Sequence, residues 1–230
     1  MKKTLLVLAL LSAMSVPLSV LRAQEELSDD DTRQYVSWGV VGGANVSSFI
    51  MKVDPLLRDT LIADSVLSSL PATGMSLTLF MDYHITPEWR MQFGGQFSLE
   101  QSMLRYADRH SHLLTLGTDV SLAALYRTPW RGGHFYVALG PYCHFVLYST
   151  ATDGTSLYRR QVYRDPVSGK SRFALNDIYA GIGLTLGYEF RRHWLVQMEN
   201  RFGVTDILNL KTRGTYVYPY KITFGVGVLF

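Results

Sequence analysis

Acidic and basic side chains recur at alternating positions of this sequence, inside otherwise apolar segments, where they could form ion pairs or carry protons. Glu199 and Arg201 are two residues apart, so an extended chain places them on one face. A charge buried without a partner costs several kcal/mol, so we expect such charges to pair with one another. The predicted polar network comprises Asp82, Arg90, Glu100, Asp119, Arg127, Glu189, Glu199, Arg201 and Lys221. We interpret it as a self-satisfied network, with a proton or ion path as the functional alternative.

Nucleophilic catalysis would need a serine, a histidine and a carboxylate in mutual reach. His84, His134 and His144 are the candidate bases, and several serines are available. No G-x-S-x-G elbow occurs, and the pair His110-Ser-His112 supplies too few ligands for a structural zinc site. The sequence therefore predicts no catalytic residue, no metal site and no cofactor.

The elements that position the charges are strands, because apolar residues recur with period 2 rather than 3.6. Residues 220–230 alternate, with tyrosine, isoleucine, phenylalanine and valine on one face and lysine, threonine, glycine and Leu229 on the other. Eight such segments are predicted: Tyr35–Phe49, Thr73–Thr86, Trp89–Arg105, Ser111–Thr128, His134–Ser149, Asp177–Phe190, Trp194–Thr205 and Tyr220–Phe230. Only 18% of the residues are charged, so a soluble barrel with a charged exterior is disfavoured. We predict an all-β fold, an eight-stranded antiparallel up-and-down transmembrane β-barrel.

The first residues read as an export signal. Met1–Lys3 is basic, the following segment is apolar, and Ala23–Gln24 is the preferred cleavage position. We expect residues 1–23 to be a signal peptide, 24–34 an acidic periplasmic lead and 35–230 the barrel. The formal charge of +3 lies within that signal, since the remaining chain has 19 basic and 19 acidic residues. No basic stripe with interleaved aromatic residues remains, so nucleic acid is excluded as a partner.

Connection lengths predict the orientation in the bacterial outer membrane. The connections after the second, fourth and sixth strands are short, whereas long ones follow the first, fifth and seventh. Short periplasmic turns and longer external loops are typical of this class. We expect Arg90, Arg127 and Glu189 near the periplasmic end with Asp82 and His84. Nearer the mid-height of the barrel we expect Asp119, Glu199, Arg201 and Lys221.

One external loop, 150–176, is predicted to bind an anionic partner or to be merely solvated. Tyr158, Arg159, Arg160 and Arg164 form its candidate binding surface, since arginine matches phosphate and tyrosine stacks on sugars. The anionic partners left open for this loop are lipopolysaccharide phosphates, a glycan and a secreted protein. Outer-membrane lipid and lipopolysaccharide are expected around the barrel.

Three stretches carry a family resemblance. Residues 38–48 (WGVVGGANVSS), 135–141 (FYVALGP) and 176–190 with 201–208 resemble the PorT-like outer-membrane β-barrel proteins of Bacteroidota. The resemblance implies a small barrel and makes secretion-system components candidate partners. The last strand is similar to the signal read by the outer-membrane assembly machinery, with Tyr220, Phe224 and Phe230 as its aromatic positions.

The sequence as a whole favours a non-enzymatic outer-membrane barrel with a plugged lumen and a structural or accessory role, in protein secretion or surface binding. The alternatives left open are a lipid-modifying hydrolase or acyltransferase and an adhesin-like binding barrel.

Overall fold

The computed structural model describes residues 36–52, 71–106, 109–151, 162–164, 171–173, 176–190, 193–207 and 216–230. The strands are β1 (Val36–Lys52), β2 (Ala72–His84), β3 (Trp89–Tyr106), β4 (Arg109–Trp130), β5 (Gly133–Ala151), β6 (Val162–Arg164), β7 (Ser171–Phe173), β8 (Ile178–Phe190), β9 (Trp194–Gly203) and β10 (Tyr216–Leu229). Among the described residues, none lies in a helix long and apolar enough to span a membrane.

Eight of these strands close into an antiparallel barrel in the order β1-β10-β9-β8-β5-β4-β3-β2. Ring closure is the pairing of β1 with β10, in which Gly39 lies opposite Leu229 and Lys52 opposite Tyr216. The prediction of an eight-stranded antiparallel barrel is confirmed. The remaining two strands, β6 and β7, form a separate hairpin within the connection between β5 and β8, which the sequence did not predict.

Several strand limits differ from the prediction. The fourth strand was expected to end at Thr128, but β4 continues to Trp130 and leaves only Arg131 and Gly132 as the turn. The first strand extends to Lys52, and the last begins at Tyr216. The added residues pair with one neighbouring strand only, since Lys52 lies opposite Tyr216 of β10 and Trp130 lies opposite Gly133 of β5.

The two faces of the strands follow the predicted alternation. Outward positions are apolar and exposed, with Met75 at 76% and Phe224 at 59%. Inward positions bury polar residues such as Asn45 and Gln96, and apolar residues such as Leu125. One irregularity occurs between Leu116 and Gly117 of β4, which lie opposite Tyr148 and Val146. The intervening Leu147 is therefore an extra residue, a β-bulge that leaves Leu147 and Tyr148 both exposed.

Two apolar clusters occupy part of the lumen. Val41, Phe80 and Leu195 pack together against Leu229, and Leu125, Tyr136 and Ala138 pack against Ala123. Small barrels are filled by side chains rather than water, and these clusters supply the apolar part of that filling. Charged and neutral polar side chains fill the remainder.

Candidate functional site: the lumen polar network

All nine residues of the predicted network lie at lumen-facing positions, in two clusters. The end cluster lies near the short turns and contains Asp82, Arg90, Arg127 and Glu189. The middle cluster contains Glu100, Asp119, Glu199, Arg201 and Lys221, together with His144.

The end cluster is built around Arg90, which is 2% exposed. Its Nη1 donates to Asp82 Oδ2 at 3.3 Å and to Glu189 Oε1 at 3.4 Å. Arg127 Nη2 lies 2.8 Å from Glu189 Oε2, and 2.7 Å from His134 Nδ1. Two arginines therefore face two carboxylates, which leaves this cluster neutral.

His84 lies near this end, as expected, but its recorded hydrogen bond is to Ser37. The His84 Nε2 to Ser37 Oγ distance is 2.9 Å. The carboxylate of Asp82 accepts from Arg90 at Oδ2 and from Gln92 Nε2 at Oδ1, the latter at 2.9 Å.

The middle cluster is centred on Asp119, whose carboxylate is contacted by three side chains. His144 Nδ1 lies 2.5 Å from Oδ1, while Arg201 Nη1 and Lys221 Nζ lie 2.5 Å and 2.9 Å from Oδ2. The imidazole of His144 also stacks on Tyr179, with ring centroids 4.4 Å apart. Asp119 thus links β4 to β5, β9 and β10.

Two further carboxylates complete the middle cluster. Glu199 accepts two hydrogen bonds from Arg201, at 2.9 Å from Nε and 2.7 Å from Nη2. Glu100 accepts from Ser47 Oγ at 2.7 Å, and Lys221 Nζ lies 3.5 Å from its Oε1. Charge-assisted bonds of this kind are roughly twice as strong as neutral ones.

Direct contacts cross the lumen from one wall to the opposite wall. Lys221 on β10 contacts Asp119 on β4, and those strands are four places apart in the ring of eight. Gln96 on β3 donates to Glu199 on β9 at 3.1 Å, and these strands are also four places apart. The interior at this level is therefore spanned by side chains.

His144 and Gln96 were not included in the predicted network. Strand alternation could have placed both of them inward, because Phe145 and Phe97 beside them were expected to face outward. His144 lies opposite Asp119 in the β4–β5 hairpin, so the register of that hairpin accounts for their contact. The contact between Gln96 and Glu199 joins residues 103 positions apart, and no sequence pattern predicts it.

Serine–histidine and histidine–carboxylate contacts are separated in this lumen. His84 contacts Ser37, whereas His144 contacts Asp119. Neither histidine therefore links a serine to a carboxylate within the part of the chain that the structure describes. No group of three or more metal-binding side chains occurs among the described residues.

The other predicted positions lie elsewhere. Tyr220, Phe224 and Phe230 face outward at the end of the chain, and the Tyr220 hydroxyl donates to Asn200 Oδ1 at 3.2 Å. The candidate loop residues Tyr158, Arg159 and Arg160 lie outside the described residues. Of Arg164, only its backbone position at the end of β6 is described.

A family model for an outer membrane protein beta-barrel domain matches residues 22–209. The chain belongs to this family. Membership agrees with the closed ring of eight strands and with the apolar outer face. The protein is accordingly located in the bacterial outer membrane. No curated protein matches the chain closely enough to count as a relative.

Solved barrels show distant likeness. OprG of Pseudomonas aeruginosa is 15% identical with a TM-score of 0.46, over 88% of this chain and 99% of that one. Ail of Yersinia pestis is 12% identical with a TM-score of 0.42, over 84% of this chain and 98% of that one. The outer membrane enzyme PagL is 10% identical with a TM-score of 0.37, over 81% and 97%. The likeness is confined to the fold.

Proposed function

We propose that this protein is a closed outer-membrane barrel with a structural or accessory role, whose interactions are made by its external loops and periplasmic turns. The observation that carries the proposal is the set of direct contacts between opposite walls, Lys221 with Asp119 and Gln96 with Glu199. A water-filled channel cannot occupy a section that side chains already span, and open channels are found in barrels of about 16 strands.

Conductance across a planar lipid bilayer tests the closed lumen. Purified wild-type protein should give no stable channel steps, because the middle cluster blocks the section. The double variant Asp119→Ala/Lys221→Ala, which removes one cross-lumen contact, should conduct more than the wild type if it folds. The exposed variant Glu88→Gln is the matched control and should behave as the wild type. Stable wild-type channels would contradict the proposal.

The role proposed for the surface is accessory to secretion or to binding. Support comes from the family resemblance of residues 38–48 and from the basic, tyrosine-rich composition of loop 150–176. Crosslinking in cells should identify partners of the periplasmic side, and deletion of residues 24–34 should remove them.

The loop variant Arg159→Ala/Arg160→Ala/Arg164→Ala should weaken binding to lipopolysaccharide-coated beads at low salt. Binding that is equally strong at high salt and in the triple arginine variant would exclude the loop as the binding site.

A non-enzymatic role is part of the proposal. The separation of the Ser37–His84 and Asp119–His144 contacts supports it. Mass spectra of lipid A from cells with and without the gene should be identical. A gene-dependent change in acylation would favour the lipid-modifying alternative.

Signal cleavage is tested by sequencing the amino terminus of the exported protein, which should begin at Gln24.

A further inference from the structure

Arg131 occupies a backbone conformation that arginine rarely adopts. Its φ angle is 45°, and that of the next residue, Gly132, is 82°. Two-residue hairpin turns with positive φ at both positions strongly favour Asn-Gly or Asp-Gly, because most other side chains are disfavoured there. Residues held in such sparsely populated conformations concentrate at functional sites. The turn alone therefore does not account for an arginine at this position.

The side chain of Arg131 lies over the ring of Trp130. Its Cζ atom is 5.3 Å from the ring centroid, which is the distance of a cation–π contact. Trp130 is 53% exposed and ends β4 on the outer face of the barrel. The contact therefore keeps the guanidinium beside the outer face, where lipid surrounds the protein.

Tyr188 holds both Trp130 and the turn in place. Its ring packs edge-to-face against the ring of Trp130, with centroids 5.9 Å apart. Its hydroxyl donates to the backbone carbonyl oxygens of Trp130 and Arg131, at 2.9 Å and 3.3 Å. Because the protein itself positions the arginine and the tryptophan, a ligand would bind them at a lower cost in entropy.

The donor groups of Arg131 and Trp130 have no acceptor within the described part of the chain. Arg131 makes no ion pair there, and the indole N–H of Trp130 makes no hydrogen bond. Arg127, four residues earlier, is by contrast paired with Glu189 at 2.8 Å. An acceptor from outside the protein can therefore use both donors.

The position of Trp130 along the barrel indicates which acceptor is present. Trp89, Trp130 and Trp194 lie at strand ends next to the short turns, and tryptophan favours the membrane interface. The guanidinium of Arg131 is thus at the level of the lipid headgroups, and arginine binds phosphate oxygens bidentately. The connection between β8 and β9 adds Arg191 and Arg192 to this end of the barrel, but both lie outside the described residues and outside the site.

We propose that Arg131 and Trp130 form a binding site for an anionic phospholipid at the short-turn end of the barrel. The guanidinium binds the phosphate, and the indole N–H donates to a phosphate or ester oxygen. A headgroup with net negative charge gains more from the arginine than a zwitterionic headgroup, whose ammonium group repels it. The site is independent of the accessory role proposed above.

Trp89 offers a comparison within the same protein. It is 50% exposed at the same end of the barrel, and its ring packs on Tyr126 with centroids 5.1 Å apart, as Trp130 packs on Tyr188. The residue next to it is Glu88, an acid, where Trp130 is followed by an arginine. The two tryptophans have similar aromatic support and differ in the sign of the adjacent charge.

Quenching by brominated lipids measures which lipid lies beside each tryptophan. Two proteins retain only Trp130 or only Trp89, with phenylalanine at the other tryptophan positions. Each is reconstituted in equal amounts of phosphatidylglycerol and phosphatidylcholine, with bromine on one lipid or the other. The Trp130 protein should prefer phosphatidylglycerol about fivefold, as expected of one arginine near a charged surface, and the Trp89 protein should not. Equal preferences at the two tryptophans would overturn the proposal.

Arg131→Asn separates lipid binding from folding. Asparagine suits a positive φ, so the variant should resist urea at least as well as the wild type in phosphatidylcholine vesicles. In the protein that retains only Trp130, the same substitution should abolish the preference for phosphatidylglycerol. A preference that survives the substitution, or a loss of stability in phosphatidylcholine, would show that the arginine serves the turn and would contradict the site.

Salt composition identifies the source of the phosphate. Sodium chloride should weaken the preference by screening, and sodium phosphate at the same ionic strength should weaken it equally, because the ligand is a lipid held at the surface. A larger loss in sodium phosphate would indicate a site for soluble phosphate and would overturn the assignment to lipid.

Discussion

Asp119 is the residue on which the middle of the lumen depends. Its carboxylate is buried, with 1% of the residue exposed, and it neutralises Arg201 and Lys221 while contacting His144. Removing one member of a buried ion pair is more damaging than replacing the whole pair with apolar side chains, because the other charge stays buried without compensation. Asp119 carries two such charges at once.

Asp119→Asn should therefore destabilise the folded barrel by about 3–5 kcal/mol. Urea unfolding of protein reconstituted in lipid vesicles, followed by tryptophan fluorescence, measures the difference. Glu88→Gln is the control, since Glu88 lies in the exposed β2–β3 turn and bonds Thr86, and its effect should stay within about 0.5 kcal/mol. Equal effects of the two substitutions would show that the middle cluster contributes little to stability.

At the residue scale, alternation was enough to predict which side chains face the lumen. It assigned Asp119, Glu199 and Arg201 correctly to the interior. It could not predict that Asp119 pairs with Lys221, since that contact depends on the stagger between strands 102 residues apart in the chain.

At the element scale, the two-residue turn between β4 and β5 is the most constrained connection described. Arg131 and Gly132 have φ angles of 45° and 82°, the pattern that matches the twist of a tight hairpin. Gly132 has open space where a side chain would lie, so its requirement is conformational and not steric.

Gly132→Ala should cost about 1–2 kcal/mol, because an alanine is strained at positive φ. Gly42→Ala is the matched control. Gly42 also has nothing near an added Cβ, but its φ is not in the positive region. The control should be neutral or slightly stabilising in the same urea titration. Equal losses in both variants would mean that added volume matters and not backbone conformation.

The sequence predicted the eight barrel strands but not all their details. Period-2 patterning cannot reveal a bulge such as Leu147, since the residues on either side alternate normally. The predicted fourth strand ended at Thr128, yet Pro129 continues the ladder and pairs with His134. The hairpin β6–β7 was missed because strands of three residues are too short for a periodic signal.

At the scale of the whole molecule, the four tryptophans lie at one end of the barrel. Their exposed fractions are 49–55%. The strand ends next to the short turns carry Trp89, Trp130 and Trp194, and Trp38 pairs with Phe230 near the start of β1. Tryptophan favours the membrane interface, so this rim marks the level of the periplasmic headgroups.

Single-tryptophan proteins in brominated lipids should report that level. Trp38 and Trp194 should be quenched most by bromines near the headgroups. Phe93→Trp, in a chain whose native tryptophans are replaced by phenylalanine, should be quenched most by bromines deep in the acyl chains, since Phe93 is an exposed outward residue further along β3. If all three tryptophans were quenched at the same depth, this placement of the barrel in the bilayer would be wrong.

The seam between β1 and β10 determines the order in which the molecule can assemble. It joins the two strands most distant in sequence, and Trp38 and Phe230 exchange backbone hydrogen bonds of 3.1 Å and 2.7 Å there. Contacts of such high contact order form slowly, because the entropy of closing so long a loop must be overcome first. Lys221 also lies on β10, so Asp119 and Glu100 lack this cation until the last strand docks. Barrel closure and charge neutralisation are thus a single cooperative step, and a chain that lacks β10 should stay an unclosed, protease-sensitive sheet rather than a smaller barrel.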